Sequence, residues 1–179
     1  MKTFSQLREE ILSEGNTLQQ RVNKHVTHGV SIGAVSPERS EHSPEQKKKG
    51  HAEIKKDLES ARKSGHIGGW SGPHKGQYKY AEGEHDVANE GSYIVHASGN
   101  TADHHKKMVS ALSKIGNKHG QESVLSVGGK SKSAKWHHLS SSPKSGETES
   151  QGKLKYNKPL ETGGGRTKLK GSSQSFTSE

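Results

Sequence analysis

The stretch Ser43-Pro44-Glu45-Gln46 constrains this chain more than any other. A hydroxyl at the N-cap, proline at the first helical position and glutamine three residues after the cap together satisfy the free N–H groups that open a helix. The pattern predicts a helix running to about Ser64 and stopping at Gly65, with Ile54, Leu58 and Ala61 as its inner stripe. Lys47, Lys48, Lys49, Lys55 and Lys56 fall on its solvated face. A single apolar stripe must be covered by a partner layer.

The flanking segments supply that layer as strands. In Val26-to-Ser36, VTHGVSIGAVS, the residues Val26, Val30, Ile32 and Ala34 recur with period two on one face. His66 to Trp70 predicts a short strand, Ser71 to Lys75 a turn and Gln77 to Ala81 its hairpin partner. Ser92 to Ala97, SYIVHA, is among the strongest strand patterns in the chain, and Glu122 to Val127 follows with another. Lys135 to Leu139 is a further candidate. Between these strands Thr101 to His119 places Met108, Ala111, Leu112 and Ile115 on one helical face, with Asn100 or Thr101 as cap and Gly120 as terminator. The expected order is β, α, β, β, β, α, β, an α/β (α+β) domain built as a ferredoxin-like split βαβ sheet with two helices on one face and basic tails.

Composition limits how much of the chain can join that domain. Only 25% of 179 residues are apolar, against 26% charged, too little to bury a core throughout. Three regions follow: residues 1–24, an amphipathic helix over 4–14 (Phe4, Leu7, Ile11, Leu12) with a linker; 25–140, the folded domain; and 141–179, a Gly/Ser/Lys-rich tail, expected to be largely flexible with short extended pieces at 154–156 and 167–169. No run approaches the roughly 18 apolar residues of a membrane span, so no membrane association is expected. Cysteine is absent, which excludes disulfides and thiolate metal sites. The net charge of +9 favours polyanionic partners, with the basic tail as the expected contact to nucleic acid or to virion subunits.

Several chemistries can be weighed from motifs. In Gly76-Gln-Tyr-Lys-Tyr-Ala-Glu-Gly-Glu84, an extended chain puts Tyr78, Tyr80, Glu82 and Glu84 on one face, where rings and carboxylates suit a small cation. The competing reading is the wet side of a hairpin. Thirteen histidines include His104-His105 and His137-His138, but no spaced ligand motif occurs and no metal site is expected. Val127-Gly-Gly-Lys-Ser131 ends like a phosphate-binding loop yet has Val124 where the first glycine belongs. There is no nucleophile elbow, no zinc finger and no RNP signature.

Order and spacing across residues 26 to 128 resemble the phage S-adenosylmethionine lyases (SAMases) and a related bacterial family of unknown function. The shared outline runs from a strand ending at Ser36-Pro-Glu-Arg39, through the helix containing His51 to Leu58, to a hairpin with Gly76-Gln-Tyr78. It continues with the strand Ser92 to Val95 and closes with a second helix and Gln121-Glu-Ser-Val-Leu125. The resemblance implies a ferredoxin-like domain, often trimeric, whose site lies between subunits and needs no metal or cofactor. Such enzymes let the carboxylate of S-adenosylmethionine displace its own sulfonium, giving methylthioadenosine and homoserine lactone.

Carried over by position, Tyr78 matches the family tyrosine after glycine. Where the family has an acid two places later this chain has Tyr80, so the catalytic carboxylate falls to Glu82 or Glu84, with Tyr80, Ser36 and Arg39 binding substrate. The implied function is a phage lyase acting in the host cytoplasm as a counter to restriction-modification. The alternative is a non-catalytic virion or nucleic-acid-associated protein with the same fold.

Overall fold

The computed structural model describes residues 28–39, 41–79, 87–153, 155–156, 165–168 and 175–177. Elements follow in the order β1 (Ile32–Val35), α1 (Pro44–Lys63), β2 (Gly69–Lys79), β3 (Val87–His96), α2 (Ala102–Lys118), β4 (Ser123–Val127) and β5 (Ser133–His138). The strands β6 (Thr148–Lys153), β7 (Lys155–Tyr156), β8 (Gly165–Lys168) and β9 (Ser175–Thr177) complete it. Among the described residues the fold is α+β: one antiparallel sheet with the order β6-β5-β4-β1-β3-β2-β8-β9-β7, and two helices. No helix among the described residues is long and apolar enough to cross a membrane.

Both helices begin and end as their capping residues dictate. Ser43 accepts the Gln46 N–H while the Gln46 side chain accepts the Ser43 N–H, a complete capping box. Thr101 caps α2 through the His104 N–H, and Gly120 (φ +67°) follows its C-cap. Ile54 and Leu58 of α1, with Met108, Ala111, Leu112 and Ile115 of α2, are buried against Val35, Tyr93, Val95 and Val124 of the sheet. Each such aliphatic side chain contributes about 1.5–3 kcal/mol on burial. The two helices are also joined at their flanks, where Lys118 Nζ lies 2.6 Å from one Asp57 oxygen and His119 Nε2 lies 2.9 Å from the other.

On the other face Ile32, Ile94, Leu125, Val127 and Ala134 form a second buried cluster. Strand β1 sits between β3 and β4, pairing Gly33 with Val95 on one side and with Ser126 on the other. α2 packs directly onto Gly33: a Cβ there would collide with Leu112 Cδ1 and lie 2.9 Å from the Leu125 carbonyl. The period-two face expected from Val26 onward holds only from Ile32. Val30 packs with the helix-side cluster while Ile32 and Ala34 face the other way, because regular pairing starts after Ser31. Val26 lies outside the described residues, as does the amphipathic stretch 4–14.

Where a hairpin was expected, Gly69–Lys79 is instead one strand, and residues 80 and 81 lie outside the described residues. β2 runs through Ser71 to Lys75 with a bulge, Ser71 opposite Ile94 and His74 opposite Ser92. Pro73 has no N–H to give the ladder, so the chain absorbs Gly72 and Pro73 as an irregularity and keeps its direction. The sheet also continues past residue 140. β6 pairs with β5, and β8 with β2, through backbone bonds that need no apolar alternation and so leave little trace in a Ser/Gly/Lys-rich sequence. Val127 to Ser131 forms the β4–β5 turn, with Gly129 N–H donating to the Ser31 hydroxyl, and no helix follows it.

Candidate functional site

Four chain segments meet at one end of the sheet: the loop after β1, the first turns of α1, the middle of β3 and the turn between α2 and β4. Ser36, buried at the end of β1, accepts the Glu38 N–H at 3.0 Å and donates to the Gly91 carbonyl at 3.3 Å. This local turn stands Glu38 up toward α1. Lys47 and His51, one helical turn apart, then bracket its carboxylate. His51 Nε2 lies 2.5 Å from Glu38 Oε1, and Lys47 Nζ 3.6 Å from Oε2. The Glu38 side chain is only 13% exposed, so this ion cluster works in a partly dry setting.

His51 carries the contact inward. Its Nδ1 lies 3.0 Å from the hydroxyl of Tyr93, a fully buried residue whose ring packs edge-on against Trp70 at 5.7 Å. Burial, reinforced by the Glu38 charge, pushes the Tyr93 hydroxyl up to about 12, so it keeps its proton. A tautomer with Nε2–H donating to Glu38 and Nδ1 accepting from Tyr93 satisfies every partner in the chain Tyr93–His51–Glu38.

Glu90 is the unusual group. Burial pushes its carboxyl from the ordinary 4.5 up to about 7, and the charges of Glu38 and Glu122 add to the push, while a hydrogen bond from Ser36 and the charge of Lys47 oppose it. A carboxyl poised near neutrality can take or give a proton, or can welcome a cation that favours its ionised form.

Behind these groups lies a clamp. Arg39 donates to the Gly120 carbonyl at 2.8 Å and pairs with Glu41 at 2.6 Å and Glu122 at 3.8 Å. Buried Gln121 donates to the Glu38 carbonyl at 2.8 Å, tying the β1 loop to the α2–β4 turn. Among the described residues no group of three or more His, Asp or Glu side chains is arranged to hold a metal.

The site residues expected from sequence divide into three sets. Ser36 and Arg39 meet here, Ser36 at the acids and Arg39 in the clamp. Tyr78 lies in β2 opposite Ala88 and Gly165, two positions along from Gly76, which pairs with Glu90. Tyr80, Glu82 and Glu84 lie outside the described residues. Sequence reasoning passed over Glu38, although it sits inside the Ser36-to-Arg39 stretch, and Glu90, which introduces the strongest strand. It also assigned Lys47 to the solvated face, whereas its side chain is drawn in to Glu38 and is 32% exposed.

No family model matches the chain, and no curated protein matches it either.

Proposed function

We propose that the domain binds S-adenosylmethionine and cleaves it as a lyase, giving methylthioadenosine and homoserine lactone, and that in a phage-infected host this counters methylation-dependent restriction. The observation that carries the reading is Glu90, whose carboxyl is pushed up to about 7 by burial, with the Glu38 charge adding to the push, so that its ionised form favours a positive charge beside it. S-adenosylmethionine offers two positive groups, an ammonium and a sulfonium, to such a carboxylate.

The proposed chemistry is internal to the substrate. Its carboxylate oxygen forms a bond to the γ-carbon as the carbon–sulfur bond breaks, and the electron pair leaves on sulfur. The carboxylate and sulfonium charges cancel, while the ammonium stays charged. A site that holds the substrate folded and partly dry favours that step without consuming an acid or a base. In this reading Glu90 holds the ammonium, while His51, Lys47 and Tyr93 keep Glu38 in place on the neighbouring loop. We further propose that β1-α1-β2-β3-α2-β4, with central strand order β4-β1-β3-β2 and both helices against one cluster, is a unit of the ferredoxin-like type.

The test is incubation of the full chain with S-adenosylmethionine and detection of methylthioadenosine and homoserine lactone by mass spectrometry. The expected result is product that falls at least tenfold in Glu90→Gln. Absence of both product and binding at millimolar S-adenosylmethionine overturns the proposal.

A further inference from the structure

The net charge of +9 is not spread over the chain. α1 carries seven basic and four acidic side chains and α2 four and one, so these two helices alone hold an excess of six. Residues 141–179 hold seven basic and four acidic side chains, an excess of three. All remaining residues cancel, ten against ten. The larger part of the surplus therefore sits on the helix layer rather than on the tail.

Within that layer four of the five acids are already matched by bases, and the fifth, Glu45, accepts from the Ser43 hydroxyl. Asp57 pairs with Lys118 and His119, Glu59 with Arg62, Asp103 with Lys107, and Glu53 lies 3.9 Å from Lys49. Lys48, Lys55, Lys56, Lys63, Lys106 and Lys114 are all exposed and form no ion pair among the described residues. On α1 these lysines fall at i, i+7, i+8 and i+15, within about 100° of arc on the side away from Ile54 and Leu58 and over a length of about 22 Å. On α2 the two are eight residues apart. The Asp57 contacts and the shared core hold both helices against the same face of the sheet.

We propose that the outer side of this two-helix layer docks on the phosphate backbone of duplex DNA. A polyanion with one charge per about 1.7 Å fits rows of unpaired lysines, and releasing its counterions drives the contact. Neither helix contains Phe, Tyr or Trp, so the aromatic platforms that hold single strands are missing. Their Ile, Leu and Met side chains are all buried and Val109 is half-buried, which leaves no apolar wedge for a lipid surface. The contact is therefore electrostatic and indifferent to base sequence. It is independent of the S-adenosylmethionine reading and shares none of the Glu38–Glu90 site.

The experiment titrates the full chain against a fluorescent random-sequence duplex of 24 base pairs, by anisotropy at several salt concentrations. The expected result is binding whose affinity falls steeply with salt. In Lys48→Gln/Lys55→Gln/Lys56→Gln, affinity at 50 mM salt should drop tenfold or more and the salt slope should decrease by about 2 to 3. All three positions are exposed, and an unchanged circular-dichroism melt shows the fold is intact. Lys75→Gln/Lys144→Gln/Lys153→Gln removes equal charge elsewhere and should retain most of the affinity. Equal loss in both triple variants, an unchanged helix variant, or tighter binding to anionic phosphatidylserine vesicles than to the duplex overturns the proposal.

Discussion

His51 lies so close over Gly91 that a Cβ on the glycine would stand 2.6 Å from the imidazole Cε1 and 2.7 Å from Glu38 Oε1. The absence of a side chain on β3 is thus what lets helix and loop bring their charged groups together above the strand. Overpacking of this kind costs about 1–3 kcal/mol. Gly91→Ala should lose that much in urea unfolding, and His51→Ala in the same background should recover part of it. Full additivity of the two changes would show that the pair does not touch.

Glu90 makes stability depend on pH in the direction opposite to an ordinary paired acid. Its folded carboxyl titrates at about 7 against 4.5 in the unfolded chain, so the folded state holds a proton that the unfolded state has released. This contribution is fully favourable below about 4.5 and is lost as pH rises toward about 7, with an upper bound of roughly 3 kcal/mol. Glu90→Gln should therefore match the parent at pH 4 and exceed it by about 1–3 kcal/mol at pH 8. Equal stabilities at pH 8 would remove the case for a buried carboxyl.

The same titration bears on ligand binding. A cation seated at Glu90 favours its ionised form, so S-adenosylmethionine should bind more tightly as pH climbs through about 7 and release a proton when it binds near neutrality. Calorimetry in two buffers of different ionisation enthalpy measures that proton directly. Proton release that persists in Glu90→Gln would assign it to another group.

Asp57 behaves in the conventional sense. Partial burial works against its charge, but hydrogen bonds from Lys118 and His119 outweigh that and hold the carboxyl below its usual range. The stabilisation is present above the unfolded value of 3.8 and disappears as pH falls through the lower folded value. Because the group is open to water on one side, Asp57→Asn should cost only about 1 kcal/mol or less at pH 7. The difference should close near pH 2, followed by chemical unfolding.

Much of the framework was legible along the chain. Ser43, Pro44 and Gln46 announced α1, Thr101 and Gly120 bounded α2, and Ile54, Leu58, Met108, Leu112 and Ile115 were recognisable as inward-facing before any partner was known. Pro73 misled by the same logic: a breaker that normally ends a strand is here absorbed by a bulge. Beyond residue 140 the short extended pieces expected at 154–156 and 167–169 overlap β7 and β8, whereas β6 was hidden because its partner, not its side chains, holds it.

The candidate site was far less legible. His51 meets Tyr93 across 42 positions and Glu38 across 13, while Gln121 reaches back 83 to the Glu38 carbonyl. Caps and helical stripes arise between residues three or four apart, so local order is written into neighbours and can be read there. Whether a carboxyl such as Glu90 is dry, or a lysine such as Lys47 is drawn inward, depends on which distant groups the packed chain sets beside it. Only the tertiary structure decides that, because desolvation and Coulomb energy are properties of three-dimensional surroundings.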